Sequence, residues 1–470
     1  MSIFLSRTLI FIILLVISSS IPAKSGIKAI EGSWLGSMQI PEGPKLKVAV
    51  EIFKKADGSW GGNVASLDQN TRYIPVSDVT FMDQVLTVQL ANAPIRIIGK
   101  FNPTDKIINS VFKQEDSSFP LILNKVTKIP ESIRRQTPQD SSDYKQQLVQ
   151  YQNYHDGTWL AGTMTIPNKA GKHPAVILIA GSGPNHRDSF FAGHRPFKVI
   201  ADHLTREGYV VLRSDKRGVY QSSGIFKEGD VQNFAKDTQA AIHFLKSQSI
   251  VDPERISLLG HSEGSLVAAI AANLEKVNSI ISLAGPGMSI LDILLLQDQT
   301  EPAAKGANKN ETKLLLEFSK KFYDIVLRLN SKKARGVALQ KLYDNLTGLE
   351  KTTVNQWVER TGSLNVKTAS SDSFREFLEQ NPLIHWKTVG VPLLILNGEL
   401  DSQVPANENV AGIIAATSKN KSLVHSKIFT GLNHMFQTAT TGGTNEYKEI
   451  EETISPVVLS KITRWLNKKI

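Results

Sequence analysis

The chain of 470 residues contains no cysteine. Disulfides, thiolate metal sites, a cysteine nucleophile and a cysteine-linked lipid anchor are therefore excluded. Long apolar runs are nearly as scarce. The strong one, Leu9 to Ile17, is shorter than the roughly 20 residues that span a bilayer. It follows Arg7 and precedes small residues up to Ala23-Lys24-Ser25, the build of a secretory signal peptide over residues 1–25 rather than of a membrane anchor. Lack of cysteine does not oppose export, since a core of this size needs no disulfide staples. A basic stripe with interleaved aromatics is also missing. The formal charge is +10, but its lysines and arginines are scattered, so nucleic-acid binding is not expected. The signal-peptide pattern predicts an exported protein, periplasmic or extracellular, with no stable membrane insertion once the signal is removed.

What is present is ordinary globular composition, 41% hydrophobic and 21% charged, in a chain long enough for two or three cores. Residues 26–128 carry short alternating runs, such as Leu46–Ile52, Val85–Leu90 and Ile95–Phe101, separated by turn signals including Ala56-Asp57-Gly58. Period-two alternation predicts an antiparallel sheet or a small barrel. The polar stretch 129–150 reads as a linker. From 151 to 470 the texture is α/β: apolar strands at Ala175–Ala180, Tyr209–Asp215, Ile256–Gly260, Ser279–Ala284, Leu393–Asn397 and Leu423–Phe429 alternate with amphipathic helices. The alternation lapses over 288–387, which is helical by pattern and placed to form a lid above the C-terminal edge of a mostly parallel sheet.

Chemistry concentrates at Gly260-His261-Ser262-Glu263-Gly264. The apolar run Ile256–Leu259 precedes it and a helix-forming run from Ser265 follows, so Ser262 sits in the strand–turn–helix context of a nucleophile elbow. A serine hydroxyl needs a base to take its proton, and the base needs a carboxylate to orient it. In this fold the order is serine, acid, histidine. Asp401 lies just past the strand Leu393–Asn397, with Glu399 as the alternative acid. His434 follows the last core strand; His385 precedes the acid and His425 falls inside a strand. Two backbone amides should bind an oxyanion, one from Glu263 and the other from Ser182 in the Gly181-Ser182-Gly183-Pro184 loop. That loop lacks the lysine and hydroxyl pair of a phosphate-binding loop. Ser214-Asp215-Lys216-Arg217-Gly218 reads as scaffold on the oxyanion side, with Arg217 paired to Asp215 or Asp188.

These motifs together resemble the α/β-hydrolase superfamily, and within it the secreted bacterial carboxylesterases of the serine-aminopeptidase-like subgroup. The resemblance rests on Gly181–Pro184 with Arg187-Asp188, Asp215–Gly218, Gly260–Gly264, Gly398 with Asp401, and His434, and covers residues 150 to 470. It departs at Tyr220, where the family's Arg-Gly-x-Gly pattern has a second glycine. The resemblance implies hydrolysis of a small-molecule carboxylic ester through an acyl-serine intermediate, with no metal and no cofactor. Two rivals remain at this stage: an aminopeptidase or amidase on the same triad, and a non-catalytic lipid- or glycan-binding protein.

Overall fold

A computed structural model describes residues 26–469, apart from 70, 92, 132, 140–142, 227–229 and 362–365. The signal-peptide reading of residues 1–25 lies outside the described residues.

The alternating N-terminal runs form eight strands: β1 (Gly32–Gln39), β2 (Lys45–Lys54), β3 (Trp60–Ser66), β4 (Thr71–Met82), β5 (Val85–Leu90), β6 (Ile95–Asn102), β7 (Ile107–Gln114) and β8 (Ser117–Val126). Each pairs antiparallel with the next, and β1 closes on β8 through Ser33–Leu35. Closure removes the exposed edges that an open sheet would leave. One set of alternating positions fills the interior with Trp34, Val50, Val64, Val88, Ile97, Leu121 and Leu123. Trp34 is fully buried, and its indole N–H donates to the Ile30 carbonyl at 2.7 Å.

The stretch 129–150, read as a linker, is instead largely built into the second unit. Gln136 donates to the Ile454 carbonyl at 2.9 Å and Arg134 pairs with Glu451 at 3.2 Å. Tyr144–Gln152 forms β9, an edge strand whose Tyr144, Val149 and Tyr151 are buried between exposed neighbours that are polar except for Leu148. Those exposed glutamines and Lys145 give an edge strand the composition of a linker, which explains the misreading.

Beyond β9 come β10 (Trp159–Pro167), β11 (His173–Ile179), α1 (Pro196–Arg206), β12 (Val210–Ser214), α2 (Val231–Lys246), β13 (Val251–His261), α3 (Glu263–Leu274) and β14 (Ser279–Leu283). Seven helices follow: α4 (Ile290–Ala304), α5 (Lys309–Arg328), α6 (Lys332–Asp344), α7 (Gly348–Thr361), α8 (Val366–Ala369), α9 (Asp372–Glu379) and α10 (Leu383–Trp386). The chain then returns to the sheet with β15 (Leu393–Gly398), α11 (Ala406–Ala416), β16 (Val424–Phe429) and α12 (Pro456–Lys469). The sheet order is β16-β15-β14-β13-β11-β12-β10-β9, antiparallel at both sides of β10 and parallel elsewhere.

Its central strands are apolar on both faces because both faces are covered. Phe197, Ile200 and Leu204 of α1 with Val458, Ile462 and Leu466 of α12 cover one side. The helices α2, α3 and α11 cover the other through residues such as Ile242, Leu245, Val267, Ile270 and Ile413. This is the α/β-hydrolase fold. The helices α4–α10 stand between β14 and β15 and have a separate apolar cluster around Leu315, Phe318, Phe322 and Leu339. Their return to the sheet is anchored by Trp386, fully buried, whose indole N–H donates to the Pro286 carbonyl at 2.8 Å. Trp386→Ala should lower unfolding stability by about 3–5 kcal/mol, the usual range for emptying a buried aromatic site. Urea unfolding of the variant measures this directly.

Candidate active site

Ser262 links β13 to α3 with φ 55° and ψ −126°, a conformation that L-residues avoid. It persists because the surroundings over-determine it. The Ser262 amide donates to the Leu283 carbonyl on β14 at 2.8 Å, and Ser265 Oγ donates back to the Gly260 carbonyl at 2.8 Å. A Cβ on Gly260 would stand inside van der Waals contact of the Gly264 carbonyl oxygen, and one on Gly264 would meet the Ile179 carbonyl of β11. Both glycines are therefore needed for α3 to fold back so tightly against the sheet. Since Glu263 opens α3, its N–H belongs to the first turn and has no intrahelical acceptor.

The loops after β15 and β16 bring in the other two residues. His434 Nδ1 lies 2.8 Å from Asp401 Oδ2, with both side chains buried. A carboxylate only accepts, so the proton of this pair sits on Nδ1, and in the neutral imidazole it is Nε2 that carries the free lone pair. The other carboxylate oxygen, Oδ1, accepts from the Gln403 and Val404 amides at 2.9 and 2.8 Å, which fixes its aim. Glu399, the alternative acid, is exposed and turned to the Gly431 amide at 3.1 Å. Gly398 lets the two loops meet, because a Cβ there would collide with the Leu432 and Asn433 carbonyls. The His434 carbonyl accepts from His261 Nε2 at 3.0 Å. Burial pushes His261 down to about 3, so its ring is neutral and donates from Nε2.

On the other side, Ser182 follows β11. Asn185 Nδ2 reaches the carbonyls of Gly181 and Ser182 at 2.8 and 2.7 Å and pins the turn. Lys216, which the sequence placed within the scaffold cluster without a partner, ties this turn to the elbow. Its ammonium donates to the Gly181 carbonyl at 2.6 Å and to Glu263 Oε1 at 3.0 Å. Arg217 does not pair with Asp215 or Asp188. It reaches Asp237 and Asp156 at 2.6 and 2.7 Å, while Arg187 takes Asp215 at 2.5 Å and Arg213 and Arg195 take Asp188. The sequence does not show that the turn before β10 and the face of α2 bring Asp156 and Asp237 to Arg217, while Arg187 and Arg213 already occupy Asp215 and Asp188.

Ser182, Ser262, Glu263 and His434 share the wall of one cavity of about 420 Å³. Asp401 stands behind His434 and does not reach it. Ile290, Ile293 and Leu294 of α4, Leu266 of α3 and Phe377 of α9 line its apolar part. Gln403 and Tyr447, hydrogen-bonded to each other at 2.6 Å, stand beside His434. Neither carried a signal in the sequence, since a lone glutamine and a lone tyrosine in loops have no motif. Among the described residues, the sole acid lining this cavity is Glu263, which is already paired with buried Lys216.

A family described as serine aminopeptidase, S33, matches residues 194–438, just over half of the chain. The match takes in Ser262, Asp401 and His434 and starts beyond Ser182. Esterase EstD of Thermotoga maritima is 24% identical over 312 residues, covering 66% of this chain and 66% of that protein. An uncharacterized protein of Mycobacterium tuberculosis is 31% identical over 139 residues, 29% of this chain and 45% of its own length. The chain thus spans about two thirds of the first relative and under half of the second. Among solved structures, the Pyrococcus furiosus esterase Pf2001 aligns over 73% of this chain and 98% of its own, with 16% identity and a TM-score of 0.41.

The buried histidines give the stability a pH dependence. His261 at about 3 and His186 at about 4, both lowered by desolvation, stay neutral in the folded protein while the unfolded chain protonates from about 6.5. A depressed folded value means stability present above 6.5 and lost as pH falls toward 4, at about 1.4 kcal/mol per unit and group. Asp298, raised by burial to about 6, and Asp237, also raised by burial, have the opposite sign, but His194 and His385 are lowered by burial and add to the first two. Urea midpoints should therefore fall from pH 6.5 to 4. His261→Gln, which keeps a donor for the His434 carbonyl, should flatten that fall.

Proposed function

The chain belongs to the serine aminopeptidase S33 family of hydrolases, and we propose that it is an exported serine esterase that cleaves small carboxylic esters through an acyl-enzyme on Ser262. The observation that carries this reading is the single cavity that holds Ser262 and His434 together, with His434 tethered to Asp401 behind it. Export is supported by the Arg7–Ser25 pattern.

In the reaction, Ser262 Oγ attacks the ester carbonyl carbon as His434 Nε2 takes its proton. Asp401 accepts from Nδ1 and stabilises the imidazolium that forms. The carbonyl oxygen becomes an oxyanion that accepts from the Glu263 and Ser182 amides. Collapse expels the alcohol, which takes the proton from His434, and leaves the acyl group on Ser262. Water then attacks the acyl carbon, giving its proton to His434. The carboxylic acid leaves, and the proton returns to Ser262.

Two features favour esters over the aminoacyl substrates that the family's description suggests. An aminopeptidase must hold a substrate ammonium, and Glu263, the one acid on the wall among the described residues, is paired with Lys216. The apolar side formed by Ile290, Ile293, Leu294 and Phe377 suits an acyl chain instead. The esterase name of the Thermotoga maritima relative agrees with this reading.

The test is steady-state kinetics on p-nitrophenyl acyl esters beside aminoacyl p-nitroanilides. Wild type should prefer the esters, with kcat/KM rising from acetyl to hexanoyl on the scale of about 0.8 kcal/mol per buried methylene. Ser262→Ala should lose about a thousandfold or more. Faster cleavage of the anilides would overturn the ester assignment, and unchanged rates in Ser262→Ala would remove the serine mechanism. A second comparison separates the two acids. Asp401→Asn should lower kcat by about 10³–10⁴, the scale of losing the orienting carboxylate, whereas Glu399→Gln should leave kcat near wild type.

A further inference from the structure

The N-terminal barrel is docked on the catalytic unit by an aromatic cluster at one point. In β4 the pairing with β3 slips between Val64 and Ser66, so that the backbone of β4 has one residue more than that of β3 at this point, just before Ile74. Such a bulge re-aims a side chain out of the regular alternation. Tyr73 takes φ 55° there, a conformation rare for a bulky residue. Its ring leaves the barrel and stacks on His186, with centroids 3.9 Å apart and planes 6° from parallel. Phe190 meets the same ring edge-on at 5.7 Å. Tyr73 Oη accepts from Arg195 at 3.1 Å, and Arg195 in turn holds Asp188 at 2.8 Å.

A second strained tyrosine meets it from the other side. Tyr220, at φ 45°, packs on Tyr73, His186 and Phe53 of β2 with centroids at 5.3, 4.9 and 4.7 Å. This is the position at which the resembling family has glycine, which would accept that φ freely. The chain keeps a side chain there in spite of the strain, and the side chain bridges the two units. The Gln221 carbonyl also accepts from the Ala56 amide of the barrel at 2.8 Å.

His186, Asp188 and Phe190 all belong to the segment that begins at Gly181 and carries Ser182, Ser189 and Phe191 to the cavity wall. We propose that the barrel is a positioning part of the active site: Tyr73, stacked on His186 and bonded to Arg195, fixes the segment from which Ser182 presents its amide to the oxyanion. Tyr73 is a positioning residue, since it acts through His186 and Arg195 and does not line the cavity. The proposal rests on the serine-esterase reading above, through the role of the Ser182 amide.

The full-length protein tests it with Tyr73→Leu, Tyr73→Phe and Tyr220→Gly. Loosening the loop should weaken transition-state binding more than substrate binding. In Tyr73→Leu we expect kcat to fall about tenfold or more, less than the 10²–10³ of removing an oxyanion donor outright, with KM little changed. An acyl trifluoromethyl ketone, whose adduct carries an oxyanion, should lose affinity in parallel with kcat. The matching unreactive alcohol should bind as before. Tyr73→Phe keeps the stack and should recover most of kcat. Tyr220→Gly relieves its own backbone strain, so it should fold while showing the same kcat loss. If the Leu and Gly variants fold and keep wild-type kcat and ketone affinity, the proposal fails even though Ser262→Ala is inactive. If Ser262→Ala is itself active, the esterase reading fails first.

Discussion

The structure depends on one turn that no side chain fits beside. Between β13 and α3 the backbone reverses so tightly that Gly260 and Gly264 stand against the carbonyls of Gly264 and Ile179. Ser262 is held at φ 55° at the apex of that turn. The strain is offset by burial on both sides. Leu258 and Leu259 of β13 and Leu266, Val267 and Ile270 of α3 lie in the two clusters that flank the sheet. A hydroxyl at the apex faces the cavity rather than the core. The same turn directs the first amides of α3 toward the space in front of that hydroxyl.

The remaining loops converge on this apex by a common device, close backbone approach secured by buried polar bonds. Gly398 lets the loop before His434 pack on the end of β15, and Asp401 is locked by two amides of its own loop. From the lid, the buried carboxylate of Glu301 accepts from Ser402, next to Asp401, and pairs with Lys305 at 2.8 Å. Lys216 performs the corresponding task between Gly181 and Glu263. Charges buried in this way are costly unless paired, so their partners are specific. That specificity holds the loops at fixed distances from Ser262.

Much of this is legible in the sequence wherever a local pattern carries the physics. The strand, the glycine-flanked serine and the helix after it are contiguous, so β13, Ser262 and α3 can be read directly. Asp401 and His434 are readable by their order and by the strands before them. A place just past the strand end favours Asp401 over Glu399, and the loop path carries Asp401 to His434 while Glu399 turns to the Gly431 amide. What resists reading is non-local. Closure of the barrel depends on β1 meeting β8 across the whole unit. The partners of Arg217 lie on separate elements. Tyr144–Gln152 looks like a linker because an edge strand exposes most of its side chains. Tyr220 looks like a blemish in a glycine motif until the barrel's Tyr73 and Phe53 are seen packed on it.

The central claim is covalent: an acyl group resides on Ser262 during turnover. It is tested most directly by mixing the full-length protein with excess p-nitrophenyl butyrate, quenching in acid within the first turnovers, and mapping the acylated peptide by mass spectrometry. The account predicts one butyryl group per chain, on the peptide that contains Ser262, and none when His434 is replaced by alanine. Ester turnover with no acylated chain, or with the acyl group on another residue, would contradict it.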